Sequence, residues 1–193
     1  MHEEIIISGF GGQGALFAGQ LLTYAGMAEG RHVSWIPSYG PEMRGGTAHC
    51  TVVLSDNPIA SPIVSHPSIL MVLNIQSMDK YEALVQPGGL LIYNSSLIVR
   101  APTRTDIRVI AVPANDVATE LGDARMANLV MIGALLAETG LVRPETIDGV
   151  LAEHISGRRR HLLEANKAAL RRGMALAQPA ASPALAVAYG CGA

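Results

Sequence analysis

Residues 4–30, EIIISGFGGQGALFAGQLLTYAGMAEG, carry the clearest secondary-structure signals in the chain. Glu4–Ser8 is a short β-branched run that ends in glycine, which is typical of a buried parallel strand. Ala15–Glu29 is apolar on most faces and predicts a helix, with Gly30 placed as its C-terminal cap. His32–Ile36 predicts a second strand, so these three elements are expected to form a β-α-β unit.

Strand and helix signals alternate along much of the remaining chain. Further strands are predicted at Thr47–Leu54, Ile69–Leu73, Leu90–Tyr93 and Arg108–Val112, and helices near residues 78–85, 116–121, 127–138, 144–154 and 160–176. This order predicts one α/β domain over residues 1–178, with three α/β/α layers, a mostly parallel or mixed sheet, a central first strand and a Rossmann-like first unit. Residues 179–193 carry no charge and are expected to form a poorly ordered tail or to lie on a neighbouring chain.

Composition excludes several classes of function. The 193 residues carry 14 basic and 16 acidic side chains, a balance that does not fit a nucleic-acid-binding protein. The two cysteines, Cys50 and Cys191, are too few for an iron–sulfur cluster, which normally takes four thiolates, and no metal-binding motif is present. Acidic residues precede the first apolar run, unlike in a signal peptide, and no apolar run approaches the roughly 18 residues of a membrane span. We therefore expect a cytoplasmic protein that binds neither nucleic acid nor membrane.

The first candidate site is the loop Gly9–Gly14 (GFGGQG), between the first strand and the first helix. Glycine lets the backbone approach a ligand, and the helix behind the loop offers free N–H groups to a phosphate. A dinucleotide-binding fold would also need an acidic residue near the end of the second strand, and residues 33–38 (VSWIPS) contain none. This favours a phosphorylated ligand over NAD or FAD, with a tight turn that binds no ligand as the alternative. The candidate binding residues are Gly9, Gly11, Gly12, Gln13 and Gly14.

The second candidate site is the loop at residues 38–46 (SYGPEMRGG), which follows the second strand. Loops at that end of an α/β sheet usually build the functional site. Arg44 suits a phosphate or carboxylate as a bidentate donor and equally suits a protein interface. Asn74 and Asn94 follow apolar strands at the same predicted edge, where asparagine more often forms a turn than binds a ligand. The candidates for the cleft or an interface are Tyr39, Glu42, Met43, Asn74 and Asn94.

Several segments together are similar to one known family. They are GFGGQG at 9–14, SYGPEMRGGTA at 38–48, PGGLLIYNSSLI at 87–98, and Asn166, Ala169 and Gly173 in the last predicted helix. From about Ile5 to Leu176 the chain resembles the gamma subunit of 2-oxoacid:ferredoxin oxidoreductases. The second segment resembles the form found in 2-oxoglutarate and branched-chain 2-oxoacid enzymes more than the pyruvate form, and 2-oxoglutarate is favoured.

The resemblance implies a subunit of a heteromeric oxidoreductase. Alpha, beta and ferredoxin-like delta subunits would carry the thiamine diphosphate, magnesium and iron–sulfur clusters, and the complex would convert a 2-oxoacid to an acyl-coenzyme A while reducing ferredoxin. This chain would contribute assembly and coenzyme A binding, with no catalytic residue, metal or cofactor of its own. Isolated, it would be inactive, and a homodimer is one possible state. Two alternatives stay open, namely a stand-alone nucleotide-binding α/β protein and a purely structural subunit.

Overall fold

Six strands form one sheet in the computed structural model, which describes residues 1–39, 47–155 and 157–177. They are β1 (His2–Phe10), β2 (His32–Tyr39), β3 (Thr47–Ser55), β4 (Ile69–Val72), β5 (Leu90–Asn94) and β6 (Arg108–Val112). Their order across the sheet is β2-β3-β1-β4-β5-β6. The strands β1, β4, β5 and β6 are parallel, and β3 is antiparallel to both of its neighbours. The expected α/β fold with a mixed sheet and a central first strand is therefore confirmed.

The first β-α-β unit differs from the expected one in its pairing. β1 and β2 run in the same direction, but β3 lies between them and pairs with each along nearly its whole length. β3 suits an interior position because Val52, Val53 and Leu54 are all buried, so both of its faces are apolar there. The unit is a split β-α-β, with one strand between its two parallel strands.

Six helices lie in the described part of the chain: α1 (Ala15–Ala28), α2 (Ile75–Tyr81), α3 (Ala114–Glu120), α4 (Ala127–Thr139), α5 (Pro144–His154) and α6 (Leu163–Ala177). Short 3-10 turns occur at Glu82–Leu84, Ala124–Met126 and Gly157–Leu162. α2 begins three residues earlier than expected because the Asn74 side chain accepts a hydrogen bond from the Ser77 N–H and caps the helix. Pro144 occupies the first turn of α5, as expected.

Helices cover the two faces of the sheet unequally. On one face, Ile5, Ile7 and Met71 belong to a large buried cluster with side chains of α1, α3, α4, α5 and α6. On the other face, Ile6 and Leu70 pack in a smaller cluster with side chains of α2 and its following turn. We call this second, less covered side the thin face.

α4 and α6 cross in direct backbone contact. A Cβ atom on Gly133 would overlap the carbonyl oxygen of Leu170, and one on Gly173 would overlap the carbonyl oxygen of Val130. These glycines therefore allow an approach that no larger residue permits. The first turn of α4 lies against the glycine loop, where Asn128 donates to the Gly14 carbonyl oxygen.

Some of the expectations concern residues outside the described ranges. Residues 40–46, with Glu42, Met43 and Arg44, are among these, as is the expected tail at 179–193. The placement of these side chains and the domain boundary at residue 178 stay predictions. Within the described ranges, no helix has both the length and the apolar character needed to cross a membrane.

Candidate functional site

The loop Gly9–Gly14 leads from β1 into α1 at the carboxyl edge of the sheet. Gly12 and Gly14 have φ values of +99° and +78°, which favour glycine. Gln13 closes the loop, because its backbone N–H donates to the Phe10 carbonyl oxygen at 3.1 Å and its Oε1 accepts from the Phe10 N–H at 2.6 Å. The loop is a hydrogen-bonded turn with a defined shape.

Two glycines of the loop are required for packing. A Cβ on Gly9 would lie 2.8 Å from Oε1 of Gln13 and 3.0 Å from Cβ of Leu73. A Cβ on Gly14 would overlap the side-chain amide of Asn128, which donates to the Gly14 carbonyl oxygen at 3.3 Å. Gly9 and Gly14 are therefore explained by close contact with β4 and α4, and a ligand is not needed to account for them.

Gly11 and Gly12 differ from these packing glycines because they are exposed. A Cβ on Gly12 would meet no atom within 4 Å. Beside them Gly14 is the N-cap of α1, which has no side-chain cap and no acidic residue in its first turn. The exposed backbone of Gly11 and Gly12 therefore lies next to the positive end of a helix dipole, which is the arrangement that binds phosphate elsewhere.

Gln13 and Asn74 attach the loop to β4 and α2. Nε2 of Gln13 donates to the Leu73 carbonyl oxygen at 3.3 Å, and Oε1 of Gln13 accepts from Nδ2 of Asn74 at 3.2 Å. Oδ1 of Asn74 in turn accepts from the Ser77 N–H at 2.8 Å. The structure therefore brings these two predicted site residues together, and their amides already have protein partners.

Asn94 is buried at the end of β5 and plays a similar part. Its Nδ2 donates to Oδ1 of Asn115 at 2.7 Å, and its Oδ1 accepts from the N–H of Ala114, the first residue of α3, at 3.2 Å. Asn94 also borders a cavity of about 220 Å³ next to the glycine loop. The cavity is lined by Gly12, Gln13, Leu73, Asn94, Asn115, Ala124, Arg125 and Ala127. Its volume is below the roughly 300–1,000 Å³ of pockets for drug-sized ligands, so it suits a phosphate-sized part of a larger ligand.

Arg125, which no sequence motif singles out, also lines this cavity and lies in the turn before α4. Its guanidinium forms two parallel hydrogen bonds with Asp123, from Nε to Oδ1 at 2.9 Å and from Nη2 to Oδ2 at 2.6 Å. These hydrogen bonds lower the pKa of the Asp123 carboxyl to about 2. The Arg125 side chain is 81% exposed and also borders two further cavities, of about 310 and 230 Å³, that share Leu162 and Asn166. Arg125 therefore lines three neighbouring cavities, and its guanidinium is a group that binds phosphate well.

Asn115 and Asn128 were also missed by the sequence analysis. Both lie at or near the start of a helix, where asparagine is common for local reasons, so the sequence offers no signal that separates them from ordinary capping residues. The described residues on either side of the second predicted loop pair within the sheet, Tyr39 with Ala48 and Thr47 with Phe10. Both flanking residues therefore lie at the carboxyl edge of β1.

The chemistry available at the site is anion binding. The described lining of the cavities includes the exposed backbone of Gly12 and the Arg125 guanidinium, which is paired with Asp123. The described residues form no group of three or more His, Cys, Asp or Glu side chains placed to hold a metal ion. Burial raises the pKa of the Cys50 thiol to about 12, so this side chain is a protonated part of the core.

Comparison with known proteins gives consistent matches. The pyruvate ferredoxin/flavodoxin oxidoreductase family matches residues 4–176. The ketoisovalerate oxidoreductase subunit VorA of Methanothermobacter thermautotrophicus is 44% identical over 134 residues, which are 69% of this chain and 28% of the relative. The 2-oxoglutarate synthase subunit KorC of Methanocaldococcus jannaschii is 35% identical over 158 residues, which are 80% of this chain and 84% of the relative. The chain thus spans just over a quarter of the ketoisovalerate relative and most of the 2-oxoglutarate one.

Solved structures agree with these matches. The gamma subunit of a keto/oxoacid ferredoxin oxidoreductase from Geobacter sulfurreducens superposes with a TM-score of 0.81 at 30% identity, over 92% of this chain and 97% of that one. The 2-oxoglutarate:ferredoxin oxidoreductase of Magnetococcus marinus, solved with 2-oxoglutarate, coenzyme A and succinyl-CoA bound, gives a TM-score of 0.84 over 91% of this chain and 31% of that one. At 22% identity, this second match shows a shared fold.

Proposed function

The chain belongs to the pyruvate ferredoxin/flavodoxin oxidoreductase family as a gamma-type subunit, and from that premise we propose that it serves in a cytoplasmic 2-oxoacid:ferredoxin oxidoreductase. The proposed reaction converts 2-oxoglutarate and coenzyme A to an acyl-coenzyme A and carbon dioxide while ferredoxin is reduced. The 2-oxoglutarate synthase relative supports this substrate because the match covers most of both chains. The higher identity to the ketoisovalerate subunit, over a shorter stretch, makes a branched-chain 2-oxoacid the second candidate.

We assign to this chain the binding of a coenzyme A phosphate, together with assembly of the complex. The observation that carries this assignment is the exposure of Gly11 and Gly12 at the uncapped start of α1, with Arg125 across the same cavity. Hydrogen bonds from N–H groups and guanidinium to a phosphate are charge-assisted and therefore strong. Arg44 remains part of the proposal, because Tyr39 and Thr47, which flank its loop in the sequence, pair at this edge of the sheet.

The remaining chemistry is assigned to partner subunits. Thiamine diphosphate, magnesium and iron–sulfur clusters would supply decarboxylation and electron transfer on the alpha, beta and ferredoxin-like delta chains. This chain has two cysteines, and the described one, Cys50, is buried with a raised pKa. It therefore does not fit a cluster that takes four thiolates. We expect the isolated chain to be inactive.

The test is a reconstituted complex that carries Gly12→Val. The substitution places a side chain where the backbone must approach the phosphate, in a position with no protein atom nearby. Loss of one charge-assisted hydrogen bond costs about 1.5–3 kcal/mol, which predicts a roughly 10–150-fold rise in the coenzyme A concentration required. Decarboxylation that depends on thiamine diphosphate should persist, because that chemistry lies on other chains.

Gly30→Val is the matched control. Gly30 also has a positive φ, +77°, with no atom within 4 Å of a built Cβ, but it follows the far end of α1. Both variants carry similar backbone strain, so a change in coenzyme A dependence confined to Gly12→Val would support the site. An assembled Gly12→Val complex with unaltered coenzyme A dependence would leave a purely structural subunit as the better explanation. Saturable binding of a dinucleotide by the isolated chain would instead support a stand-alone nucleotide-binding protein.

A further inference from the structure

The thin face exposes large apolar side chains. Ile36 on β2 is 41% exposed, and it shares this face with buried Ile6 because both residues pair with Thr51 of β3. Val109 also lies on this face, because it pairs with Leu91 of the same cluster, and Val99 follows buried Ile98; they are 39% and 97% exposed. Exposed apolar residues concentrated on one side of a protein mark an interaction surface more often than scattered ones do.

Val99 is exposed on a loop whose neighbouring residues are fixed by contacts with the protein. The preceding residue, Ile98, is buried in the cluster of the thin face. The following residue, Arg100, bonds to Asp79 of α2 at 2.7 Å and to Glu82 at 2.9 Å. An apolar side chain fixed in this way loses little conformational freedom when a partner covers it, which favours binding.

The same face carries a cation without a carboxylate partner. The Lys80 ammonium lies 4.9 Å from the centre of the Tyr81 ring, and no described residue forms an ion pair with it. The half-buried ring of His49 approaches Tyr81 from β3, with 5.4 Å between ring centres. Neighbouring Arg100, in contrast, is paired with two carboxylates. A partner surface with an apolar patch and a carboxylate opposite Lys80 would complement this arrangement.

The relatives indicate which partner this is. The chain spans 28% of the ketoisovalerate subunit, so in that relative the matching region is part of a much longer polypeptide. We propose that the thin face docks the partner subunit that corresponds to the rest of that polypeptide, with its apolar surface against Ile36 and Val99 and a carboxylate against Lys80. This rests on the proposed function as a subunit. The opposite face is already covered by helices, and a symmetric dimer centred on Lys80 would bring like charges together.

Two thin-face variants and one control test the proposal in the complex. The partner subunit, produced with its thiamine diphosphate, is immobilised, and binding of the unaltered chain, Ile36→Asp, Lys80→Glu and Met27→Asp is titrated. Met27 is a matched control because it is 56% exposed near the end of α1, on the opposite face. Each thin-face variant should raise the dissociation constant at least about tenfold, the scale of one interface anchor, and Met27→Asp should change it less than about twofold. Thermal unfolding of each isolated variant confirms that it is folded.

Other outcomes would overturn the docking surface. The proposal is wrong if the thin-face variants bind the partner as tightly as the unaltered chain does. It is also wrong if Met27→Asp raises the dissociation constant as much as they do. A homodimer of the unaltered chain that Lys80→Glu dissociates would show that a second copy occupies this face. If the unaltered chain fails to bind the partner at all, the proposed function falls together with the surface, so the two failures are distinguishable.

Discussion

The crossing of α4 and α6 allows a test whose size follows from the structure. A Cβ at position 133 would overlap the Leu170 carbonyl oxygen and lie 2.9 Å from the backbone nitrogen of Met174. Both obstacles are backbone atoms within a helix, so no rotamer change can remove them. Gly133→Ala therefore requires the two helices to separate.

Two opposing terms set the magnitude. Overpacking costs typically 1–3 kcal/mol, and backbone obstacles place this substitution at about 3 kcal/mol. Alanine in a helix interior recovers about 1 kcal/mol relative to glycine. The net loss is about 2 kcal/mol, which at roughly 2–4 °C per kcal/mol for a chain of this size lowers Tm by about 4–8 °C.

Thermal unfolding followed by circular dichroism measures this effect, with Gly149→Ala as the control. Gly149 lies inside α5, where a built Cβ would meet no atom within 4 Å, so alanine there should stabilise the protein by about 0.5–1 kcal/mol. The two substitutions are chemically identical and should change Tm in opposite directions. A Gly133→Ala protein that unfolds at or above the temperature of the unaltered chain would refute the described helix contact.

Three further predictions concern the buried side chains of Glu82, Cys50 and Asn94. Burial alone would raise the pKa of Glu82, but hydrogen bonds from Thr103 and neighbouring residues lower it below 4.5. The ionised carboxylate therefore stabilises the folded protein above pH 4.5, and this contribution is lost as the pH falls further. Glu82→Gln should therefore reduce the unfolding free energy by about 2 kcal/mol at pH 7 and by less at pH 3 in urea titrations, and an equal loss at both would contradict this. In a Cys191→Ser chain, the buried Cys50 thiol, with its pKa raised to about 12, should resist a maleimide at pH 8 until urea is added, and rapid labelling of the folded chain would be the contrary result. Asn94→Ala removes the acceptor of a buried N–H and should cost about 1–3 kcal/mol in the same urea assay, whereas an unchanged midpoint would argue against that hydrogen bond.

Local signals account for what the sequence predicted correctly about the fold. The β-branched run at Glu4–Ser8 marks a strand because its side chains are apolar on both faces, and Pro144 marks a helix start because of its fixed φ. The insertion of β3 between β1 and β2 has no such local signal. This insertion depends on pairing between residues far apart in the sequence, such as His2 and Ser55. The alternating sequence of β3 would fit a strand at the edge of the sheet equally well.

The site was predictable to the extent that backbone conformation depends on residue type. Gly12 and Gly14 adopt positive φ values, which favour glycine, and the sequence shows this requirement as a glycine-rich loop. The distinction between packing and exposed glycines was not visible, because the atom that fills the space beside Gly14 belongs to Asn128, 114 residues away. Arg125 escaped notice for the same reason, since only the folded chain brings its turn to the loop.

The amide side chains near the glycine loop stabilise the protein, whereas the exposed glycine backbone and Arg125 are the groups proposed to bind a ligand. Gln13 bonds to Asn74, Asn94 bonds to Asn115, and Asn128 bonds to the Gly14 carbonyl oxygen; their polar groups are used within the protein. The contacts of Gln13 and Asn128 hold the loop in place, so a ligand that binds to it does not have to immobilise it. A ligand then meets the backbone at the exposed glycines and the guanidinium of the neighbouring turn. Substitutions at the amide side chains should therefore change stability more than affinity, whereas Gly12→Val should lower affinity in a way that Gly30→Val, with similar backbone strain, does not.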